Sequence, residues 1–305
     1  MSWADLFADV EDRNRIEWGL RSFSFAAAPD TVALLSGQRV DDWLRYGRVR
    51  HPQFQLTVPT GPGTHSAVSP AAFTQTRPYL AATMPGFPDV EAIAAQLAVG
   101  ATLRLVNIED FDQQFAALCA RLTTLWNAPV TIDAFYPPPG DDGLGARFDD
   151  GDVFAIQVES STIWELWDIP DGPDWPESQP LSLVDTPDHV LELAPGEGLY
   201  VPAGMGHRAF AGPDGSLHLS IRVKPTSYHD VVRAWTEEFL ATVPLLDRLP
   251  LLGDRLPAIT DILRGIGLAA DKTDPAELLA RVDRHRPKLS DAPLLPGVCP
   301  PRTDA

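Results

Sequence analysis

Gly145-Ala-Arg-Phe-Asp-Asp-Gly-Asp-Val-Phe-Ala-Ile-Gln157 sits inside a series of short, apolar, strand-like segments separated by turn clusters. Working outward from it, those segments cover residues 130–136, 146–158, 162–167, 189–193, 198–201, 207–211 and 217–223. Several short strands at this spacing predict a β-sandwich or barrel. Side chains two positions apart on a strand face the same way, so Arg147 and Asp149 are expected on one face. In 217–223 the same rule puts His218, Ser220 and Arg222 on a polar, cationic face and Leu219, Ile221 and Val223 on an apolar one.

The flanks read as helix and irregular chain. Residues 1–25 suggest one or two short helices, with Trp3, Leu6, Phe7 and Val10 on one face. Residues 26–86 are rich in Pro, Gly and Thr and hold brief strands such as 54–58. A helix is predicted over 89–99 with Asp89 as its N-cap, then a strand over 101–107. Phe115, Leu118, Cys119, Leu122, Leu125 and Trp126 recur at helical spacing and predict a helix over 111–127. Beyond Pro225 three helices follow, over 228–242, 256–266 and 275–285, and then a Pro-rich tail over 287–305. The expected organisation is a domain at 1–225, its barrel core about 130–225, and a helical region at 226–305. The apolar run of Leu240, Val243, Leu245, Leu246, Leu249, Leu251 and Leu252 could serve a homodimer or pack on the protein's own barrel.

Composition narrows the function classes. A chain of 305 residues with 44% hydrophobic residues can bury a large core. Its net charge of −18 opposes nucleic acid and anionic membranes, because binding phosphate backbones depends on Lys and Arg. Cys119 and Cys299 are too few and too far apart for a disulfide framework or a thiolate metal cluster. The acidic N-terminus lacks the apolar core of a secretory signal, and no stretch reaches the ~20 apolar residues of a membrane helix. A cytoplasmic location is the expectation.

Three stretches together carry a family resemblance. They are 133–140 (Asp-Ala-Phe-Tyr-Pro-Pro-Pro-Gly) with 145–157, then 195–207 (Pro-Gly-Glu-Gly-Leu-Tyr-Val-Pro-Ala-Gly-Met-Gly-His), then 216–220 (Ser-Leu-His-Leu-Ser). Together they resemble the JmjC-like cupins of the bacterial ribosomal-oxygenase type, and the likeness reaches upstream through 100–105 and downstream into the helices. The resemblance implies a mainly β fold with helices, a double-stranded β-helix (jelly-roll or cupin) barrel. It also implies Fe(II) and 2-oxoglutarate as cofactors, and hydroxylation of a peptide, protein or amino-acid side chain. Relatives of this type often dimerise through a helical region after the barrel. Their iron is held by a His-x-Asp pair and a distant His, which leaves positions open for cosubstrate and oxygen.

On that pattern Asp149 matches the carboxylate and His207 the distal histidine, the two metal ligands that the resemblance carries over. Arg147 stands where the first histidine belongs. A guanidinium stays protonated and has no lone pair to give a metal. Thr162 stands where the family places a Lys or Arg for the distal carboxylate of 2-oxoglutarate, and a hydroxyl supplies no countercharge. Arg147 is expected either to pair with Asp149 or to hold a substrate carboxylate. His207 is expected to be a ligand or a hydrogen-bonded barrel histidine. Asp133 suits a turn or strand edge, His218 a structural place, and Trp164 and Trp167 the core. Arg222 and Ser220 could bind the cosubstrate if their face points inward, whereas Arg222 at a strand end would face solvent. Two functions follow: a JmjC-fold protein without iron/2-oxoglutarate chemistry, or an active hydroxylase rebuilt on Asp149, His207 and Arg222, with Asp133, Asp152 or water as a third ligand.

Overall fold

The computed structural model describes residues 5–8, 19–61, 64–169, 186–242 and 256–284. Strands β1 (Phe23–Ala26), β2 (Phe54–Gly61), β3 (Thr64–Ala67), β6 (Thr102–Leu105), β7 (Val130–Tyr136), β8 (Asp152–Trp167), β10 (Glu197–Val201) and β11 (Gly206–Val223) join in the order β1-β10-β8-β11-β7-β6-β2-β3. β9 (His189–Leu193) pairs with β8, and β4 (Thr74–Tyr79) forms a separate hairpin with β5 (Ala82–Pro88). All the pairings are antiparallel.

β8 and β11 make the barrel. The sequence predicts four strands here, with breaks near 159–161 and 212–216. Instead, each pair of segments runs through as one long, bent strand of 16 or 18 residues. The bend is built at Ser160, which adopts φ 57°, and at register shifts between Ala211 and Ser216 and between Leu217 and His218. Asp152–Gln157 therefore pairs with the second half of β11, and Thr162–Trp167 with the first half. At the front of the predicted 146–158 strand, residues 146–151 lie outside β8, and Arg147 alone makes an isolated bridge.

Two apolar clusters lie on the two faces of this sheet. On the outer face, Ile132, Phe154, Ile156, Tyr200, Leu219 and Ile221 are fully or almost fully buried. Helix α4 (Gln113–Trp126) covers them with Phe115, Leu118, Cys119 and Leu122. That helix starts where Asp112 accepts from the Gln114 and Phe115 amides and stops at Asn127, whose φ of 48° suits Asn at a helix end. On the inner face, Val153, Ala155, Trp164, Leu166, Leu193, Leu199, Val201 and Met205 pack together. Short helices α1 (Pro29–Val32) and α2 (Gly37–Arg45), with α3 (Val90–Ala98), complete this unit. Asp89 caps α3 by accepting from Ala92 N at 3.1 Å, as expected.

The expectation of helices over 1–25 fails where it is described: Phe23–Ala26 is a strand on β10, and Phe7 bridges to Ala27. Phe7, Phe23 and Phe25 form an aromatic cluster with Phe154 and Tyr200, so burial rather than helical propensity sets this segment. Trp3 and Val10 lie outside the described residues.

Residues 1–224 and 225–305 are two compact units. The second holds α5 (Tyr228–Thr242), α6 (Leu256–Lys272) and α7 (Pro275–Arg284), with Trp235 donating to Thr273 at 2.8 Å. Most of the apolar run 240–252, and the tail 287–305, lie outside the described residues. Among the described residues no helix is long and apolar enough to cross a membrane.

One buried acid gives a pH-dependent stability. Glu109, in the 3-10 turn Ile108–Asp110, accepts from Ile132 N at 3.0 Å. Burial pushes its carboxyl from 4.5 up to about 7, against the pull of that amide. A folded-state value above the unfolded one means the proton is held more tightly when folded. The stability this adds is full below the unfolded value and is lost as pH rises through about 7. Glu109→Gln keeps the acceptor and removes the charge. At about pH 8 the variant is expected to be more stable by about 1 kcal/mol, a figure discounted for partial exposure. The difference between variant and parent should vanish at about pH 4 when both are unfolded with urea. A constant difference across that range would refute the assignment.

Candidate functional site in the barrel mouth

Strand parity decides what lines the barrel. His207 lies opposite Leu166, and His218, Ser220 and Arg222 lie opposite Gln157, Ala155 and Val153. On the other side the same three residues meet Phe135, Asp133 and Thr131. All share the face of the inner cluster, so the polar face of β11 points inward. Arg222, one residue from the end of β11, lies on that inner face with its side chain still partly open to solvent. Asp152 lies opposite Val223 on the other face, where its carboxylate accepts from Ala203 N at 2.9 Å, which corrects its candidacy as a ligand.

Arg147 and His207 are cross-strand neighbours. The Arg147 amide donates to the His207 carbonyl at 3.0 Å, and the His207 amide to the Arg147 carbonyl at 2.9 Å. Directly opposed residues of an antiparallel pair place their side chains on one side. Asp149 joins them, its backbone carbonyl accepting from Gly204 N at 2.9 Å in the turn that precedes β11. Its Oδ2 lies 3.4 Å from His207 Nε2 and its Oδ1 lies 3.6 Å from Arg147 Nε. The three predicted positions therefore converge, and the expected Arg147–Asp149 ion pair is present.

The electrostatics follow from that convergence. Burial works to raise the Asp149 pKa, but the His207 ring and the Arg147 charge more than offset it, and the carboxyl titrates well below the usual range. Burial pulls the Arg147 guanidinium down from its ordinary value, with Asp149 opposing. His207 is almost fully buried, and its Nδ1 lies 3.1 Å from the Met205 carbonyl. A carbonyl only accepts, so Nδ1 carries a proton. Nε2 has no aligned hydrogen-bond partner; the 3.4 Å approach to Asp149 is an ion-pair distance.

Around this centre the cations are paired. Arg104 donates to Asp133 Oδ2 through Nε at 3.0 Å, and Asp133 Oδ1 accepts from Asn107 N at 2.9 Å, so Asp133 is held on the strand. Arg222 pairs with Asp150, which also takes Lys224. Three Arg–Asp pairs thus line one mouth: Arg104–Asp133, Arg147–Asp149 and Arg222–Asp150. Ser220 lies between Asp133 and Ala155 on the same face. Asp150 was not a sequence candidate; the adjacent Asp149-Asp150 doublet was its only signal.

Thr162 is fully buried and belongs to a closed polar network. Its hydroxyl donates to Gln157 Oε1 at 2.8 Å and lies 2.6 Å from Ser216 Oγ, and Gln157 Nε2 donates to Ser216 Oγ at 3.1 Å. His218 joins through Ser216 at 3.3 Å and stacks on Phe135 with ring centroids 5.3 Å apart. Burial, with the Arg147 charge, lowers its pKa to about 3, so it is a neutral structural histidine. Trp164 and Trp167 are core residues.

Comparison with known proteins agrees with the fold. A family model described as JmjC domain matches residues 104–231. The chain is 26% identical over 179 residues to the bifunctional lysine-specific demethylase and histidyl-hydroxylase NO66 of Drosophila persimilis, covering 56% of this chain and 25% of that protein. It is 27% identical over 145 residues to ribosomal oxygenase 2 of Rattus norvegicus, covering 47% of this chain and 30% of that one. The matched region thus spans between a quarter and a third of these relatives' lengths. Among solved structures, YcfD, a ribosomal oxygenase from Escherichia coli in complex with cobalt and 2-oxoglutarate, superposes with a TM-score of 0.60 at 16% identity, covering 96% of this chain and 75% of that one. Residues 104–231 match the JmjC-domain model, and the fold of the chain is that of a JmjC cupin.

Proposed function

We propose that this protein is a JmjC-fold binding module for a peptide or protein segment, in which the barrel mouth no longer carries iron/2-oxoglutarate hydroxylation. The observation that carries this reading is the Arg147–Asp149 pair, set directly against His207. An Fe(II) centre needs three donors on one face, and here one of the three places holds a fixed cation. The residues present do not fit the ion. Nor do they fit 2-oxoglutarate: Thr162 is uncharged, buried and fully engaged, and Arg222 already holds Asp150. A dianionic cosubstrate would have to displace that carboxylate first.

A mouth lined by guanidiniums on carboxylates suits a polar segment that exchanges into those pairs. Relatives named as histidyl-hydroxylase and ribosomal oxygenase support a protein as the partner. A homodimer through the helices after residue 225 is part of the same proposal. One observation favours the rival reading, an active hydroxylase: His207 presents an unpartnered Nε2 with its Nδ1 held by a carbonyl as a metal ligand's would be.

The test is a pair of measurements on the full chain. Conversion of 2-oxoglutarate to succinate with added Fe(II), across peptide and amino-acid substrates, is expected to stay at background. Mn(II) titration should reveal no equivalent that Asp149→Ala removes. Succinate formation, or a stoichiometric Mn(II) equivalent lost in Asp149→Ala, overturns the proposal.

A further inference from the structure

The loop between β7 and Arg147 brings a second constellation together on the edge strand β3. We propose that His65, Asp141 and Asp142 form a binding site for a divalent transition-metal ion of the zinc or manganese class. One donor atom from each lies within 4.8 Å of the others. His65 Nε2 is 2.8 Å from Asp142 Oδ1 and 3.6 Å from Asp141 Oδ1. Metal–ligand bonds of ~2.1 Å put neighbouring donors about 3.0–3.4 Å apart, and these two separations lie about 0.2 Å to either side of that range, a shift small enough for an ion to draw the donors in.

The histidine carries the argument beyond an acidic cluster. Its side chain is 5% exposed, and neither Nδ1 nor Nε2 has a hydrogen-bond partner. The 2.8 Å approach to Asp142 lacks hydrogen-bond alignment, so Nε2 lies close to both carboxylates without being satisfied by either. A buried imidazole with both nitrogens unmatched loses the free energy of its hydration unless another partner supplies it.

The surroundings fix the donors as a metal site requires. Asp141 Oδ2 accepts from the Thr102 hydroxyl and from Gly143 N at 3.2 Å, which leaves Oδ1 to face His65. The loop backbone is anchored in turn: Asp141 O accepts from Ala211 N at 2.9 Å, and Gly143 O from the Thr57 hydroxyl at 3.3 Å. Such supports orient ligating carboxylates. Two carboxylates balance a dication, and the imidazole nitrogen selects against magnesium and calcium, which prefer oxygen. None of the three residues belongs to the Asp149–His207 pair, so this inference does not depend on the reading of the barrel mouth.

The experiment is titration of the full chain with Zn(II) alone by calorimetry, repeated with Co(II) for its visible absorption. One equivalent is expected in the parent and in His207→Ala. His65→Gln and Asp142→Asn should each weaken it by about 100-fold or more, as expected for losing a ligand. Metal-free melting of each variant checks that it folds, and added Zn(II) should raise the melting temperature of the parent but of neither variant. Absence of Zn(II) binding in the parent overturns the site. So does binding that both variants retain, which would mark His65 and Asp142 as an ion pair alone, and so does binding lost only in His207→Ala.

Discussion

Arg147→His is expected to raise Fe(II) or Mn(II) affinity at the barrel mouth by about 100-fold or more over the parent. The backbone geometry needed is already present. Position 147 is hydrogen-bonded to position 207 in both directions, so an imidazole there projects to the same side as the His207 ring. Asp149 lies 3.4 Å from His207 Nε2 and is held ionised well below neutral pH. The substitution removes a positive charge and adds a neutral donor, and both changes favour a dication. Calorimetry at neutral pH, with His207→Ala in the same background, reads the result. An Arg147→His protein that binds Mn(II) no better than the parent would show that a missing ligand is not the obstacle.

The second large effect is on stability. Asp149→Ala is expected to cost about 2 kcal/mol, because it leaves the Arg147 guanidinium desolvated and unpaired. Breaking a buried pair usually costs more, but 23% exposure of the Arg147 side chain lets water return part of the loss. Removing both charges, as in Arg147→Met with Asp149→Leu, should recover most of the deficit, since similar-sized apolar groups replace a buried pair at little cost. A double-mutant cycle by urea unfolding measures the coupling. Additive effects would mean that the pair does not hold the mouth. The Asp149 pKa is depressed on folding. Its share of the stability is therefore full above the ordinary carboxylate range and is lost as pH falls through the folded value.

Much of this was legible in the chain. β7 and β9 begin and end where the alternation of side chains says, and α4 sits within the predicted 111–127 between an Asp cap and an Asn stop. Arg147, Asp149 and His207 converge because i, i+2 parity and a cross-strand partner are local rules. What was illegible depends on other elements. Ser160 and the 212–215 stretch read as strand ends, but paired neighbours on both sides carry β8 and β11 through them as bends. The partner of Arg222 is illegible from 217–223 because Asp150 lies in a separate segment, next to Gly151, against which Arg222 packs. His65 sits alone in a Pro-, Gly- and Thr-rich stretch, and only the folded loop sets it against Asp141 and Asp142.

The closed network of Thr162, Gln157 and Ser216 makes positions 147 and 162 unequal in how readily they could change. Position 147 opens on a mouth, and an exchange there changes the partner of Asp149 alone. A lysine at position 162 would bring an ammonium into a fully enclosed niche and remove the hydroxyl that links Gln157 Oε1 to Ser216 Oγ. Placing a cation at position 162 therefore calls for changes among its neighbours as well. On the proposed reading, a metal ligand at position 147 is one exchange away, whereas a cation at position 162 is several.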